Sequence, residues 1–383
     1  MSVTAPAGFD AAGVSAGLRS TPAPDLALIV NRGPLQNAAV VFTSNRAKAN
    51  PILWSQQVIG DGRVSAVVLN AGGANCFTGS QGFQTTHATA EAVGSVLGVS
   101  AGDVLVCSTG LIGEQLDRDK LVAGVDAASG ALSGDGGLDA ARAIMTTDTV
   151  PKVSSFTGDG WSIGGIAKGA GMLAPGLATM LVVLTTDAVL ESDELDGALR
   201  AATRVSFDRL DSDGCMSTND QVTLMASGAS GTRPDLGDFR AALVDVCTDL
   251  VVQLQADAEG AGHDILIEVR NAVTEDDAVE VGRSVARNNL FKTAIFGNDP
   301  NWGRVLAAIG TTQAQFDPYA VDVSMNGVRV CSAGAPDRPR DDVDLTGRAV
   351  HVLIDLKVGA EHASIYTNDL THDYVHENSA YSS

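Results

Sequence analysis

The sequence predicts an α/β protein that becomes α+β in its last third. Three observations carry that prediction. Short apolar runs rich in β-branched residues, bounded by Gly, Asn, Asp or Ser, recur along the first two-thirds of the chain. Between them lie alanine-rich stretches with helical apolar spacing. From about His263 the texture changes, and strand-like runs follow one another around one long helical segment.

Taken in order, Leu26–Val30, Ala39–Phe42 and Val64–Leu69 read as strands and Thr85–Leu97 as a helix. Val104–Cys107 is a further strand, followed by Ser108, Thr109 and Gly110. Lys120–Leu132 and Leu138–Met145 have helical spacing, and Trp161–Ala167 is a strand that feeds a glycine-rich loop. Met180–Leu184, five apolar residues, reads as a strand buried on both faces. Glu194–Leu210 and Leu236–Ala258 are long helices on either side of a strand at Gln221–Ala226. The stretch AEGAGHD at 258–264 breaks the pattern and places a boundary near 262, giving units 1–262 and 263–383. Beyond it, Ile265–Arg270, Phe291–Phe296, Val321–Met325, Val328–Cys331, Val350–Leu356 and Ser364–Thr367 read as strands, and Glu275–Leu290 as a helix. The segment APDRPRDDVD at 335–344 is an exposed, charged excursion.

Composition narrows the function. With 383 residues and 45% hydrophobic content the chain can bury a full core. A formal net charge of −21 argues against nucleic acid or an anionic membrane as partner, while leaving room for a small anionic substrate at a locally basic site. The N-terminal MSVTAPAGFDAAG has neither the basic region nor the apolar core of an export signal. No apolar run approaches the ~18 residues of a membrane span. Five scattered cysteines with no CxxC spacing point to reduced thiols and a cytoplasmic location.

The chain is organised around Lys168–Ala188, KGAGMLAPGLATMLVVLTTDA. Gly169, Gly171, Gly176 and Pro175 make a permissive loop, and Thr179 stands at the mouth of the buried strand after Ala178. One reading is a strand after a glycine loop. The spacing excludes a GxGxxG phosphate cradle, because position 174 is alanine, and a P-loop, because Lys168 precedes the loop. The sharper reading is a self-cleaving nucleophile. A cut between Ala178 and Thr179 would set a free α-amine, with a pKa of about 7.7–8.0, beside the Thr179 hydroxyl as its base. Thr109 and Gly110 read either as a strand-to-helix turn or as the two donors of an oxyanion hole. Asp211, Asp213, Gly214 and Asp220 imitate a calcium loop, but position 12 lacks its bidentate glutamate. The six histidines form no metal-ligand spacing.

KGAGMLAPGLATML resembles the cleavage motif of the ornithine acetyltransferases, the glutamate/ornithine N-acetyltransferases of arginine biosynthesis. CSTGLIG at 107–113, AIMTTD at 143–148, QADAEG at 255–260, DPNWGR at 299–304 and ENSAYSS at 377–383 extend the resemblance to the whole chain. It implies a layered N-terminal-nucleophile-like core with a smaller C-terminal α+β domain whose tail reaches the active site. It implies Thr179 as nucleophile, Thr109 and Gly110 as oxyanion hole, and Thr146, Lys168, Thr179, Glu259, Asn378 and Ser383 as substrate contacts. The implied substrates are N-acetylornithine and glutamate, with chains 1–178 and 179–383 assembled two of each. No metal or bound organic cofactor is implied, and no residue settles whether acetyl-CoA is a second donor. A related amidase or aminopeptidase with the same nucleophile is the rival reading.

Overall fold

The computed structural model describes residues 2–174 and 180–380. The first sheet holds β1 (Phe9–Val14), β2 (Leu26–Asn31), β4 (Ala66–Ala71) and β5 (Val104–Thr109), in that order. The second is ordered β3 (Asn37–Phe42), β9 (Gln221–Ala226), β8 (Leu181–Thr186), β7 (Ser162–Lys168), β6 (Lys152–Thr157). Side chains alternate between faces, which lets each sheet serve two cores. Ala27, Ile29, Val67 and Leu69 of the first sheet meet Leu181, Val183 and Ile166 of the second. On the other side, Leu26, Leu28, Val68 and Val106 pack on α2 (Gly79–Leu97) and α3 (Arg118–Gly130). Val182, Leu184 and Leu224 pack on α5 (Ser192–Val205) and α6 (Leu236–Ala256). The result is four layers, helix–sheet–sheet–helix. Helix α1 (Asn50–Val58) lies along β5, and the small α4 (Gly137–Ala143) sits against β1 and β2.

A third sheet, built wholly from the last third of the chain, has its own core. Its order is β13 (Ala335–Pro336), β12 (Val328–Ser332), β11 (Asp322–Met325), β14 (Ala349–Asp355), β10 (Asp264–Ala272), β15 (Glu361–Asn368). Ile265, Ile267, Val352 and Ile365 bury against α7 (Glu275–Ala286), α8 (Asn289–Phe296) and α9 (Trp302–Ile309). The chain then returns to the first unit through α10 (His372–Ala380).

The expected strand at Phe291–Phe296 is helix α8. Its residue types favour a strand, but the Asn288 side chain accepts the Phe291 N–H and caps a helix. That helix buries Phe291, Lys292, Ala294 and Ile295 together. The expected helix Glu194–Leu210 stops at Val205, because Ser206 leaves helical geometry and a 3₁₀ turn follows at Phe207–Arg209. The helix expected to reach Leu290 stops at Ala286. The 335–344 excursion is exposed, with a two-residue strand and a 3₁₀ turn at Arg340–Asp342. No described helix is long and apolar enough to cross a membrane.

Candidate active site

The two central sheets end beside one another, and their ends make the site. On the first sheet, β5 delivers Thr109. Its carbonyl accepts N–H groups from both Gly72 and Gly73, at 3.0 and 2.9 Å. Gly110 follows with φ +129°, and a Cβ there would lie 2.6 Å from the Gly73 nitrogen, so only glycine fits. On the second sheet, β7 delivers Lys168, which is fully buried. Its Nζ donates to Thr109 Oγ1 at 3.1 Å, although the two residues are 59 apart in the chain. Burial lowers the Lys168 pKa, with Lys152 acting in the same direction and Asp148 and Asp220 opposing.

Glu259 faces this pair across the cavity. It lies beyond the end of α6, where its N–H donates to the Ala170 carbonyl at 3.0 Å. Both carboxylate oxygens are held. Thr147 Oγ1 donates to Oε1 at 2.7 Å, and Asn378 Nδ2 donates to Oε2 at 2.9 Å. Gly171 lies against the carboxylate, and a Cβ there would come within 2.4 Å of Oε2. Asn378 reaches Glu259 from α10, so the C-terminal unit contributes to the same cavity.

The cavity measures about 340 Å³, enough for a small amino acid derivative. Thr109, Gly110, Thr146, Lys168, Glu259 and Asn378 all line it. Leu111, Ile112 and Met172 form an apolar, partly exposed rim. A buried cation on one wall and an oriented carboxylate on the other suit a molecule that carries both a carboxylate and an ammonium group. Of the remaining expected site residues, Ala178, Thr179 and Ser383 lie outside the described residues.

Sequence reasoning passed over several groups. Asp148, last residue of the AIMTTD stretch, is the centre of the polar network beneath the site. It accepts from Gly169 N at 2.7 Å, from Thr146 N at 2.9 Å and from Lys152 Nζ at 2.7 Å. Burial pushes its carboxyl up, but Lys168, Lys152 and the Gly169 N–H outweigh burial and hold it at about 2. Lys152 also donates to Asp257 at 2.6 Å, the residue that ends α6. Asn219 donates to the carbonyls of Ala74 and Ser108, at 2.6 and 2.8 Å, and so ties the approach to β9 to the end of β5. Thr147 and Asp148 stood inside a quoted motif, which was the available signal. Asn219 carried none.

The calcium-like acids take other partners. Asp211 pairs with Arg287, Asp213 accepts the Met172 N–H, and Asp220 accepts the Met180 N–H. Among the described residues no group of three or more His, Cys, Asp or Glu is placed to hold a metal ion.

The ArgJ family model matches residues 10–383. The chain belongs to the ArgJ family. An arginine biosynthesis bifunctional protein ArgJ from Streptomyces coelicolor is 63% identical over 383 residues, covering all of both chains. The protein of that name from Thermobifida fusca is 59% identical over 382 residues, again covering all of both. A solved ornithine acetyltransferase from Mycobacterium tuberculosis, complexed with ornithine, is 55% identical where it aligns. It covers 45% of this chain and 94% of its own, with a TM-score of 0.45. The ArgJ match spans the oxyanion-hole candidates, the Lys168 strand and α10 alike, so all elements of the cavity fall inside it.

Proposed function

We propose that this ArgJ-family chain is a glutamate N-acetyltransferase of arginine biosynthesis, moving acetyl from N²-acetylornithine to glutamate through an acetyl-threonine. The observation that carries the reading is the cavity with Lys168 and Thr109 on one wall and the doubly held Glu259 on the other. The names of the full-length relatives support the pathway. Thr179 Oγ attacks the acetyl carbonyl, its own α-amine takes the hydroxyl proton, and Thr109 Oγ1 with the Gly110 N–H hold the oxyanion. Collapse of the tetrahedral species breaks the amide C–N bond, and the amine passes the proton to departing ornithine. The neutral amine of glutamate then attacks the ester carbonyl. It forms N-acetylglutamate and returns a proton to Thr179 Oγ.

Lys168 and Thr146 receive the substrate carboxylate, and Glu259, Asn378 and Ser383 receive its ammonium end. The same hydroxyl cuts the Ala178–Thr179 bond by an N-to-O acyl shift and hydrolysis, leaving chains 1–178 and 179–383. Strands β7 and β8 are neighbours in one sheet and come from opposite sides of that cut, which supports their staying together. We divide the chain at 262 into catalytic core and C-terminal domain and assemble two copies of each processed chain. The unpaired thiols suit the cytoplasm.

The test is a denaturing mass spectrum with an activity assay. Wild-type protein resolves into two chains and gains one acetyl on 179–383 when given N-acetylornithine alone. Thr179→Ala stays a single chain and transfers nothing. Acetyl release to water without transfer to glutamate would identify an amidase instead.

A further inference from the structure

Asp220 is a buried acid that the reaction above does not use. It directly follows Ser217, Thr218 and Asn219, which line the cavity, and directly precedes β9. It is fully buried. Its Oδ1 accepts the Met180 N–H at 3.1 Å. Its Oδ2 lies close to the Ser217 and Thr43 hydroxyls but makes no hydrogen bond of good geometry among the described residues. A buried polar atom without a well-formed hydrogen bond is costly, and folded proteins retain few of them.

The sheet register explains the location. Lys168 pairs with Leu181, and Leu181 with Gln221. One row beyond these strand ends stand Gly169, Met180 and Asp220. Asp220 therefore occupies the row where the chain enters β8, and Met180 is the residue directly after Thr179.

We propose that Asp220 is the positioning residue of the nucleophile, its carboxyl group clamping the Met180 N–H and so fixing the chain one residue after Thr179. This rests on the reading of Thr179 as the residue released by the cut. Burial drives its carboxyl well above the usual carboxylate range, against the Met180 N–H, the Ser217 and Thr43 hydroxyls and Lys168, the charged group that faces it.

The experiment compares Asp220→Asn and Asp220→Leu in the full chain, following cleavage by mass spectrometry, acetyl transfer by turnover, and the melting temperature. Asn keeps an uncharged acceptor for Met180, and its chains form and turn over within roughly tenfold of wild type. Leu removes both carboxyl oxygens and leaves the buried Met180 N–H without its acceptor, so its melting temperature falls below that of wild type. At temperatures where the Leu chain is still folded, its cleavage and transfer fall by roughly 10²-fold or more, while Asn, which keeps the acceptor, stays near wild type. If the Leu chain does not fold, Asp220→Ala takes its place with the same expectation for rate. A Leu or Ala variant that is cleaved and turns over at the wild-type rate overturns the clamp. An Asn variant as slow as Leu, although it keeps an acceptor for the Met180 N–H, overturns the clamp as well. A wild-type chain that is never cleaved would instead remove the Thr179 reading on which the clamp stands.

Discussion

Two buried lysines on neighbouring strands have opposite surroundings. Lys152 on β6 touches two carboxylates, Asp148 at 2.7 Å and Asp257 at 2.6 Å, and has no exposed surface. Lys168 on β7 touches a hydroxyl, Thr109 Oγ1, and faces the cavity. Its nearest compensation is the field of Asp148, which is already bonded to Lys152. A buried charge whose donors are taken up by two anions holds the scaffold together. One left with donors facing a cavity is kept at a cost to stability, and function is the reason for keeping it.

The largest effect should come from breaking the saturated side. Lys152→Met strands two buried carboxylates and should cost about 3–5 kcal/mol of unfolding free energy, read from denaturant melts. Lys168→Met should do the reverse. It should leave the melting temperature near that of wild type while lowering kcat/KM for N-acetylornithine by roughly 10²–10³-fold, the range seen when one stabilising donor is removed. Equal losses of stability in the two variants would erase the distinction.

Acid sharpens the same comparison, because Asp148 serves both lysines. Its folded-state pKa is depressed from 3.8 to about 2, so the native state binds fewer protons than the unfolded chain between those values. The stability it contributes, about 2 kcal/mol from a shift of that size, is complete above pH 3.8 and is lost as pH falls through 2. Lys168→Met should shift this acid transition upward, because Lys168 is the largest of the interactions that lower it. Acid melts of the two proteins measure the shift. The smallest effect belongs to the opposite wall. Thr147→Val removes the donor to Glu259 Oε1 and should raise KM for the amino acid substrate about fivefold, near 1 kcal/mol, with kcat little changed. Thr147→Ser should restore it.

Much of the architecture is legible in the sequence. The strands at 26–30, 39–42, 104–107 and 221–226 and the long helix from Leu236 appear where apolar periodicity placed them. The elements that escaped carry weak local signals. In β1 the run is FDAAGV, with one β-branched residue, and β6 is KVSSFT. In α10 the sequence HDYVHENSA buries no residue fully and has no apolar stripe to announce it. The segment Phe291–Phe296 misled because its residue types suit either state, and the Asn288 cap decided for a helix.

By itself the sequence determined which residues face a core, because a period of 2 or 3.6 is a local property of the chain. Its motifs also marked the Thr179 loop, Thr109 and Gly110, Lys168, Glu259 and Asn378 as candidates. Only the tertiary structure decided which of these meet. The Lys168–Thr109 bond spans 59 residues, and the bonds to Glu259 span 112 and 119. It also decided that Asp148 would serve two lysines and that Asp220 would be buried on the Met180 N–H. Those outcomes depend on sheet register and on two sheets ending at the same place, and no local pattern encodes contacts at such separations.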